Sequence, residues 1–352
     1  MWQRNAAKER PEGRDGPVVI AVASGKGGTG KTTVAVNLAL AASVRFPVQF
    51  LDCDVEEPNA HLLLKPVMAE RESVEIPVPR VDEARCTYCG SCADVCPQHA
   101  IAVFPNRVLV LAQLCHGCGA CRLLCPQGAI SEVGRPVGEV GVGNAEGAAR
   151  PPAGDAGRGN AGGVAGRIWP GGEEGGMPAG LAFAEGRLKV GEAFAPPVVR
   201  AVRKKADRRR LVIVDVAPGT SCPVVEALKG ADLCLLVTEP TPFGLHDLEL
   251  MVEVLEKLGL PAAVVINRAD VGDAGVPAFC RRRRLPILME IAQDRRIAES
   301  YARGIPLVQA DPEWTDRFLV LLRRIQEVAP AGVSRWERER CRSRATEVGP
   351  PR

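Results

Sequence analysis

The segment SGKGGTGKTT, at positions 24–33, has the residue types needed to bind the phosphates of a nucleotide. Gly25, Gly30, Lys31 and Thr32 match the pattern G-x4-G-K-[ST] of phosphate-binding loops. Glycines let successive backbone N–H groups converge on phosphate oxygens, the lysine reaches the outer phosphates, and the hydroxyl binds Mg2+. We therefore predict a nucleotide site with Mg2+, formed by Gly25, Lys26, Gly27, Gly28, Thr29, Gly30, Lys31, Thr32 and Thr33.

Eight cysteines form the second set of residues that predict a chemistry. They fall in two runs with the spacing C-x2-C-x2-C-x3-C-P, and equivalent positions lie 29 residues apart. In this bacterial ferredoxin spacing, three thiolates surround one 4Fe-4S cluster while the fourth reaches the other cluster. Zinc is the alternative, but zinc sites usually pair their cysteines with a longer gap between the pairs. The predicted ligands are Cys86, Cys89, Cys92 and Cys125 for the first cluster, and Cys115, Cys118, Cys121 and Cys96 for the second.

Apolar segments that alternate with helical patterns surround both motifs. The run PVVIAVA (17–23) leads directly into the glycine loop, and a helix is predicted from about Lys31. Further buried strands are predicted at 47–52, 211–215, 232–240 and 261–268, and helices at 245–259 and 312–329. Strands that alternate with helices predict an α/β fold with a doubly wound, mainly parallel sheet.

Roughly 160 residues separate the second and third of these strands, far more than an ordinary connection. We therefore predict an inserted α+β domain of the bacterial ferredoxin type at 78–137, with Val95, Ile101, Leu124 and Ile130 packed around its clusters. The Gly-, Ala- and Pro-rich stretch 138–180 is predicted to be a flexible linker. Residues 181–194 are predicted to form a hairpin that turns at Glu185-Gly186. The other predicted ranges are a flexible extension at 1–16, two parts of the nucleotide-binding domain at 17–77 and 181–330, and a disordered basic tail at 331–352.

The composition limits the classes to which the chain can belong. Its 352 residues allow two or three domains, and 46% apolar with 25% charged residues is typical of soluble globular chains. A net charge of +3 gives no reason to expect nucleic acid as the main partner. No apolar run approaches the roughly 20 residues that cross a bilayer, and no signal peptide is visible, so we expect a cytoplasmic protein without stable membrane insertion. In that reducing compartment, thirteen cysteines favour metal binding over disulfides.

The five cysteines outside the two runs have no metal-type spacing. Cys222 follows the strand predicted at 211–215 and is open to a functional role, although burial as a small apolar residue is the simpler interpretation. The remaining four are interpreted as structural: Cys53, Cys234, Cys280 and Cys341.

The sequence KGGTGKTT (26–33) resembles the deviant phosphate-binding loop, or deviant Walker A motif, of the MinD family. That family includes the nitrogenase iron protein and the ATP-binding iron-sulfur carriers. Its early lysine reaches across a dimer interface to the partner's nucleotide, so the resemblance implies a trans-acting catalytic role for Lys26 in a homodimer that hydrolyses ATP. Such a charge would stabilise the transition state as an arginine finger does. The alternative is a solvated loop lysine.

Other residues can be matched individually to functional positions of the family. In LDCDVEEPN (51–59), the resemblance puts Asp52 near the magnesium and gives Asp54 the role of positioning the attacking water, with loop capping as the alternative for either residue. VIVDVAPG resembles the Walker B strand, so Asp215 is expected to bind Mg2+ through water. In the segment INRAD (266–270), the resemblance implies that Asn267 binds the edge of the adenine ring. Asp270 is a second candidate for this contact, and capping of the loop is an equal alternative for it.

Two further segments, VTEPTPFGLHDLEL and RRIAESYARGIPLV, resemble MinD-type ATPases that carry an inserted ferredoxin domain. Because the insert lies between the Asp52/Asp54 segment and the Walker B strand, its two ends are tied near the nucleotide, and the leading hypothesis is a dimeric ATPase in which ATP binding gates electron transfer between the clusters and a redox partner. A second hypothesis is a carrier that uses ATP to deliver clusters to an apo-protein acceptor, but carriers generally hold a labile cluster through a late C-x-x-C pair that this sequence lacks. A third is a membrane-positioning protein, although the C-terminal stretch has no sustained apolar stripe.

Overall fold

The computed structural model describes residues 18–144, 177–178, 180–207 and 209–329. The extension predicted at 1–16 and the tail predicted at 331–352, with Cys341, lie outside these residues. The described strands are β1 (Val19–Ala23), β2 (Val48–Cys53), β3 (Val67–Val81), β4 (Ile101–Phe104), β5 (Arg107–Val110), β6 (Ile130–Asn144), β7 (Leu181–Leu188), β8 (Leu211–Val216), β9 (Leu233–Thr238), β10 (Ala262–Asn267) and β11 (Ile287–Ile291).

Nine of these strands form one sheet, in the order β11-β10-β9-β1-β8-β2-β7-β6-β3, and β4 pairs with β5 in a separate hairpin. Strand β6 runs antiparallel to both of its neighbours, while the other neighbouring strands of the large sheet are parallel. Every residue of β1, β2, β8 and β9 is buried, as expected for strands covered on both faces. The predicted α/β fold with a mainly parallel sheet is therefore confirmed.

Helices cover both faces of the large sheet. The described helices are α1 (Lys31–Ser43), α2 (Ala60–Leu64), α3 (Ser91–Asp94), α4 (Ala120–Leu123), α5 (Pro196–Lys204), α6 (Cys222–Leu228), α7 (Pro242–Leu258), α8 (Gly275–Arg283), α9 (Arg295–Ala302), α10 (Leu307–Ala310) and α11 (Pro312–Val328). Helices α1 and α11 pack into the apolar core on one face. Helices α5, α6, α7 and α8 contribute to the core on the other face. No helix in these ranges is long and apolar enough to cross a membrane.

Two 15-residue strands, β3 and β6, connect the large sheet to the cysteine-rich segment. They pair as an antiparallel ribbon, from Val67 opposite Asn144 at one end to Val81 opposite Ile130 at the other. We call β3 and β6 the ribbon, and residues 82–129 beyond it the cysteine module. The module shares with the end of the ribbon a small apolar core of its own. The sequence predicted neither long strand, because neither has the continuous apolar pattern of the central strands.

The packing predicted around the cysteines is correct in part. Ile101 and Ile130 are buried in the small core, and Val95 is packed against it. Leu124 is 58% exposed, so the prediction that it packs there is wrong. It directly follows α4, where its side chain faces solvent.

The prediction of a flexible linker is wrong for residues 138–144, which belong to β6 and pair with β7. The glycines in this stretch allow close packing. A Cβ atom at Gly138 would lie 2.4 Å from the carbonyl oxygen of Arg187 and 2.7 Å from Cγ2 of Val198 on α5. Only glycine fits such a close approach within a strand. The rest of the predicted linker, residues 145–176, lies outside the described ranges.

The hairpin predicted at 181–194 is also wrong, since β7 continues through Glu185 and Gly186. Gly186 again marks a close approach: its Cβ would lie 2.7 Å from Val202 of α5 and 2.7 Å from Val55. Helix α5 thus packs so closely on β6 and β7 that both strands need glycine beneath it. In the sequence alone, these glycines indicated a turn and a linker.

Candidate functional site

The loop at 24–30 connects β1 to α1 at the carboxyl end of the sheet. Gly28 and Gly30 have φ angles of +81° and +88°, in the left-handed region that glycine adopts without strain. The side-chain amide of Asn267, at the end of β10, donates to the carbonyl oxygen of Thr29 over 2.8 Å. The Thr29 hydroxyl is buried and has no hydrogen-bond partner among the described residues. The loop therefore retains a buried polar group that a phosphate oxygen can satisfy.

Lys31 begins α1 and forms the centre of a buried ionic cluster. Its Nζ lies 2.6 Å from Oδ1 of Asp215, at the end of β8, and 3.5 Å from Oδ2 of Asp54. The Thr32 hydroxyl donates to the other oxygen of Asp215 over 2.7 Å. Burial alone would lower the pKa of Lys31, but the carboxylates of Asp215 and Asp54 outweigh it and raise that pKa.

Asp52 lies in β2, the strand next to β8, and Asp54 directly follows that strand. Asp52 is fully buried, and its two carboxylate oxygens accept the backbone N–H groups of Asp54 (3.1 Å) and Ala60 (3.2 Å). Burial and the charge of Asp215 raise the pKa of Asp52 well above its usual range. Burial also raises the pKa of Asp54, although Lys31 opposes this shift. The loop-capping contacts weighed as an alternative for Asp52 are thus present, and its coordination of Mg2+ stays a prediction.

The charges of this cluster fit a divalent cation. Three carboxylates surround one ammonium group, so two formal negative charges remain when all four groups are ionised. Carboxylate and hydroxyl oxygens are the ligands that Mg2+ prefers, and Mg2+ usually binds through one or two carboxylates together with phosphate oxygens. Thr32 and Asp215, already in contact, are the residues that would hold it.

Lys26 lies at the outer side of the loop and is about one third exposed. Its Nζ is 3.3 Å from Oε2 of Glu239, which directly follows β9. The other oxygen of Glu239 accepts from Arg268 over 2.6 Å. Lys26 is therefore held by an ion pair within its own chain, and its predicted contact with a partner's nucleotide stays a prediction.

The eight cysteines of the two runs line two separate cavities in the four-residue sets predicted from their spacing. The first cavity is lined by Cys86, Cys89, Cys92 and Cys125, and the second by Cys96, Cys115, Cys118 and Cys121. Within the described ranges, no three Cys, His, Asp or Glu side chains converge closely enough to hold a single metal ion.

Four of these sulfur atoms accept backbone N–H groups, with the same geometry in both repeats. Cys86 and Cys115 accept from the residue two positions later, over 3.4 Å in each case. Cys96 and Cys125 accept from the residue four positions later, over 3.3 Å in each case. Hydrogen bonds to the sulfur ligands are among the features that set the properties of a protein-bound iron-sulfur cluster.

The other described cysteines lie outside both cavities. Cys53, Cys234 and Cys280 are buried, and burial raises the pKa of Cys280 to about 11, which agrees with the structural role expected for these three. Cys222 is exposed at the start of α6, so burial as a small apolar residue is excluded for it.

The sequence did not single out two carboxylates that organise this region. Glu239 binds Lys26, and its only signal was its position at the end of a predicted strand. Glu185 is fully buried in β7 and lies opposite Asp52 in the sheet register. Its oxygens lie 3.2 Å from Nδ1 of His61 and 3.1 Å from Nη2 of Arg71. A carboxylate inside a buried strand has no distinguishing sequence pattern.

Comparison with known proteins identifies the family. The CobQ/CobB/MinD/ParA nucleotide binding domain matches residues 20–307. The ATP-binding protein MJ0547 of Methanocaldococcus jannaschii is 49% identical over 304 residues, which cover 84% of this chain and 82% of that protein. An iron-sulfur cluster carrier protein of Synechocystis sp. is 53% identical over 47 residues, or 13% of each chain.

The fold agrees with this result. The septum site-determining protein MinD of Pyrococcus horikoshii, solved with Mg-ADP, superposes with a TM-score of 0.51 and 18% identity, covering 90% of this chain and 98% of that one. At this identity, the likeness concerns the fold. Together with the phosphate-binding loop and its buried Lys31–Asp215 pair, the matches show that the chain belongs to the CobQ/CobB/MinD/ParA nucleotide-binding family and is a P-loop ATPase.

Proposed function

We propose that this ATPase acts as a nucleotide-dependent dimer that couples ATP to electron transfer through two 4Fe-4S clusters held by the cysteine module. The observation that carries the proposal is the arrangement of the eight cysteines, which line two cavities in the two sets that a two-cluster ferredoxin requires. A cluster spreads its ligands around a cube, so four cysteines need not converge on one point as they would around a zinc ion.

The residues around Lys31 have distinct roles in ATP hydrolysis. Binding of ATP would bring phosphate oxygens to Lys31 and to the buried hydroxyl of Thr29, while Thr32 and Asp215 hold Mg2+. Asp54 is near enough to Lys31 to orient a water toward the outer phosphate, and its raised pKa favours accepting a proton. Asn267 would keep the loop in its binding conformation through Thr29.

In this proposal, Lys26 is the residue whose role requires a dimer. It stands outside the buried cluster, and its ammonium group forms an ion pair with Glu239, which also binds Arg268. A lysine that leaves this ion pair could reach a nucleotide bound to a second copy and stabilise the charge that develops during phosphoryl transfer. Hydrolysis would then need two chains.

The cysteine module fits the clusters through its own residues. Each cluster would exchange one electron at a time with a partner. The backbone N–H groups directed at Cys86, Cys96, Cys115 and Cys125 would stabilise the negative charge of the bound sulfur atoms. Ile101, Ile130 and their neighbours would restrict the access of water to the sites.

The connection between module and nucleotide site supports coupling. The backbone N–H of Leu188, at the end of β7, donates to the carbonyl oxygen of Val55, the residue after Asp54, over 2.8 Å. Strand β7 also pairs with β6 of the ribbon, and β6 begins five residues after Cys125. A movement of the Asp54 segment on ATP binding can therefore reach the module through hydrogen-bonded strands.

A cluster carrier is the second candidate, and the short match to the Synechocystis carrier protein favours it. That match covers 13% of the chain, and Cys222 is the one exposed cysteine of the described residues outside the two sets. A transferable cluster would need ligands beyond this single thiol.

The test is anaerobic reconstitution followed by analysis of iron and by electron paramagnetic resonance. We expect about eight iron atoms per chain, which stay bound when Mg-ATP and an apo-ferredoxin acceptor are added, and an ATP turnover that differs between oxidised and reduced clusters. Cys118→Ser should lower the iron content, whereas Cys222→Ser, as the matched control, should leave it unchanged. Transfer of iron and sulfide to the acceptor would favour the carrier, and equal turnover in both redox states would contradict coupling.

A further inference from the structure

The two cysteine cavities differ in what lies behind them. The first is lined by Val81, Val103, Val108 and Ile130, which belong to the small core of the module or pack against it. In the second, Cys115 packs against the large apolar core beneath the ATPase sheet. The second cavity is therefore proximal to the ATPase body, and the first is distal.

A ring contact joins the proximal cavity to the ATPase body. His116, which lines that cavity, stacks on Phe194 with ring centroids 3.9 Å apart and an interplanar angle of 7°. Phe194 lies two residues before α5. In the first repeat, the position equivalent to His116 is Thr87, which has no ring. A ring contact at this position can therefore form in the second repeat but not in the first.

Phe194 is held in a fixed position. The Glu192 carboxylate accepts the backbone N–H of Phe194 over 3.1 Å and forms an ion pair with Arg135 on β6. The Glu192 side chain is only 4% exposed, so this pair is shielded from solvent. Phe194 is thus tied to the ribbon through Glu192 and lies two residues before α5, so a shift of α5 relative to the ribbon would act on its stack with His116.

The contacts continue from α5 to the phosphate-binding loop. Arg200 and Arg203 of α5 bind Glu226 (3.0 Å) and the carbonyl oxygen of Lys229 (2.7 Å), at the end of α6. Helix α6 follows the turn after β8, where the N–H of Gly219 donates to the carbonyl oxygen of Ser24 over 3.0 Å. Ser24 opens the phosphate-binding loop. A packed, hydrogen-bonded chain of residues thus links His116 to the nucleotide site.

We propose that the His116–Phe194 stack makes the proximal site, formed by Cys96, Cys115, Cys118 and Cys121, the one that responds to bound nucleotide, while the distal site does not. This inference rests on the proposed function, because it concerns the clusters proposed there. By linkage, a nucleotide that binds more tightly to one redox state of the proximal cluster shifts the midpoint potential of that cluster. A tenfold difference in nucleotide affinity corresponds to about 59 mV for one electron.

The test is a reductive titration of the reconstituted protein with dithionite, followed by electron paramagnetic resonance, with and without a non-hydrolysable Mg-ATP analogue. Cys89→Ser and Cys118→Ser assign the signals to the distal and proximal sites. We expect the analogue to shift the midpoint of the proximal cluster only, and Phe194→Leu to remove the shift while iron content is kept. Phe104→Leu, at an exposed phenylalanine of the cysteine module, is the control and should keep the shift.

A second variant and a second readout keep the result independent of one substitution. His116→Thr, which copies the first repeat, should also remove the shift. Hydrogen exchange of residues 112–120 should slow on adding the analogue, that of residues 83–91 should not, and both variants should lose the difference. Equal shifts of both clusters, or a shift that survives both variants, would overturn the inference alone. Failure of either site to bind iron would overturn the proposed function as well.

Discussion

Asp54→Asn should stabilise the nucleotide-free protein while it removes most of the ATPase activity. Asp54 is only 14% exposed, close to Asp52 and Asp215, and its pKa is raised because burial disfavours the carboxylate. Lys31 keeps its 2.6 Å contact with Asp215 in the variant and loses only the 3.5 Å contact with Asp54. Relief of burial and repulsion therefore outweighs the lost attraction.

Substitutions that relieve functional strain commonly gain about 0.5–2 kcal/mol. For domains of 150–250 residues, each kcal/mol shifts the thermal midpoint by roughly 2–4 °C, so we expect a rise of about 1–8 °C at pH 8 without Mg2+ or nucleotide. Loss of the water-positioning carboxylate should lower the turnover by about 10²–10⁴.

The pH dependence gives the sign of the effect. A carboxyl group whose folded pKa is raised contributes stability below its unfolded pKa of 3.8, and this stability is lost as the pH rises through the folded pKa. The advantage of the variant should therefore be largest at pH 8 and shrink as the pH falls through the raised pKa of Asp54 toward 3.8. A lower midpoint for the variant at pH 8, or a gain that does not shrink as the pH approaches 3.8, would refute the charge argument.

Asp52→Asn provides the control that separates charge from hydrogen bonding. Both oxygens of Asp52 accept backbone N–H groups, and asparagine can accept at only one of these positions. The unsatisfied N–H should cost about 1–3 kcal/mol, so this variant should unfold at a lower temperature although the pKa of Asp52 is also raised.

The other predictions concern the ion pair, the strand glycines and the dimer. Lys31→Ala leaves Asp215 buried without its cation, so it should lose about 3–5 kcal/mol in urea unfolding and lose ATP binding in calorimetry; retained binding would contradict the role of Lys31. Gly186→Ala should cost about 1–3 kcal/mol because its Cβ overlaps Val202, whereas Gly180→Ala, with 3.5 Å to its nearest neighbour, should be nearly neutral; equal costs would exclude packing as the cause. The Lys26→Ala variant should still bind ATP, but with ATP it should neither dimerise in analytical ultracentrifugation nor hydrolyse the nucleotide. A variant that still forms an active dimer would favour the alternative, in which Lys26 is a solvated loop lysine without a catalytic role.

Local patterns predicted the central sheet and how the cysteines divide between the two cavities, because each is encoded within short segments, while the role of these cysteines as cluster ligands stays a prediction. The strands β1, β2, β8, β9 and β10 are predominantly apolar, as burial on both faces requires, and the buried Asp52 and Asp215 are the exceptions that belong to the candidate site. The cysteine spacing is similarly restrictive, since the cavities contain the sets that it predicted.

The features that the sequence did not predict depend on distant partners. Gly138 and Gly186 indicated flexibility, but their function is to admit α5, which lies 10 to 60 residues further along the chain. The ribbon strands alternate polar and apolar residues irregularly, so no single segment identifies them. Glu185 and Glu239 acquire their partners only when β7, α2, the phosphate-binding loop and β10 meet in the fold.

The buried position of Glu185 determines which parts of the molecule can move together. Its carboxylate lies 3.2 Å from Nδ1 of His61 on α2, just after the Asp54 segment, and forms an ion pair with Arg71 on the ribbon, so one buried group contacts both the Asp54 segment's neighbour and the module's support. Removing one partner of a buried ion pair costs about 3–5 kcal/mol, more than the 1–3 kcal/mol typical of allosteric coupling, so the Glu185–Arg71 pair should persist when nucleotide binds. The base of the ribbon should therefore move with the Asp54 segment as one body. Relative movement is then left to α5 and the far end of the ribbon, so the His116–Phe194 contact is where a change at the nucleotide site would first reach the proposed clusters.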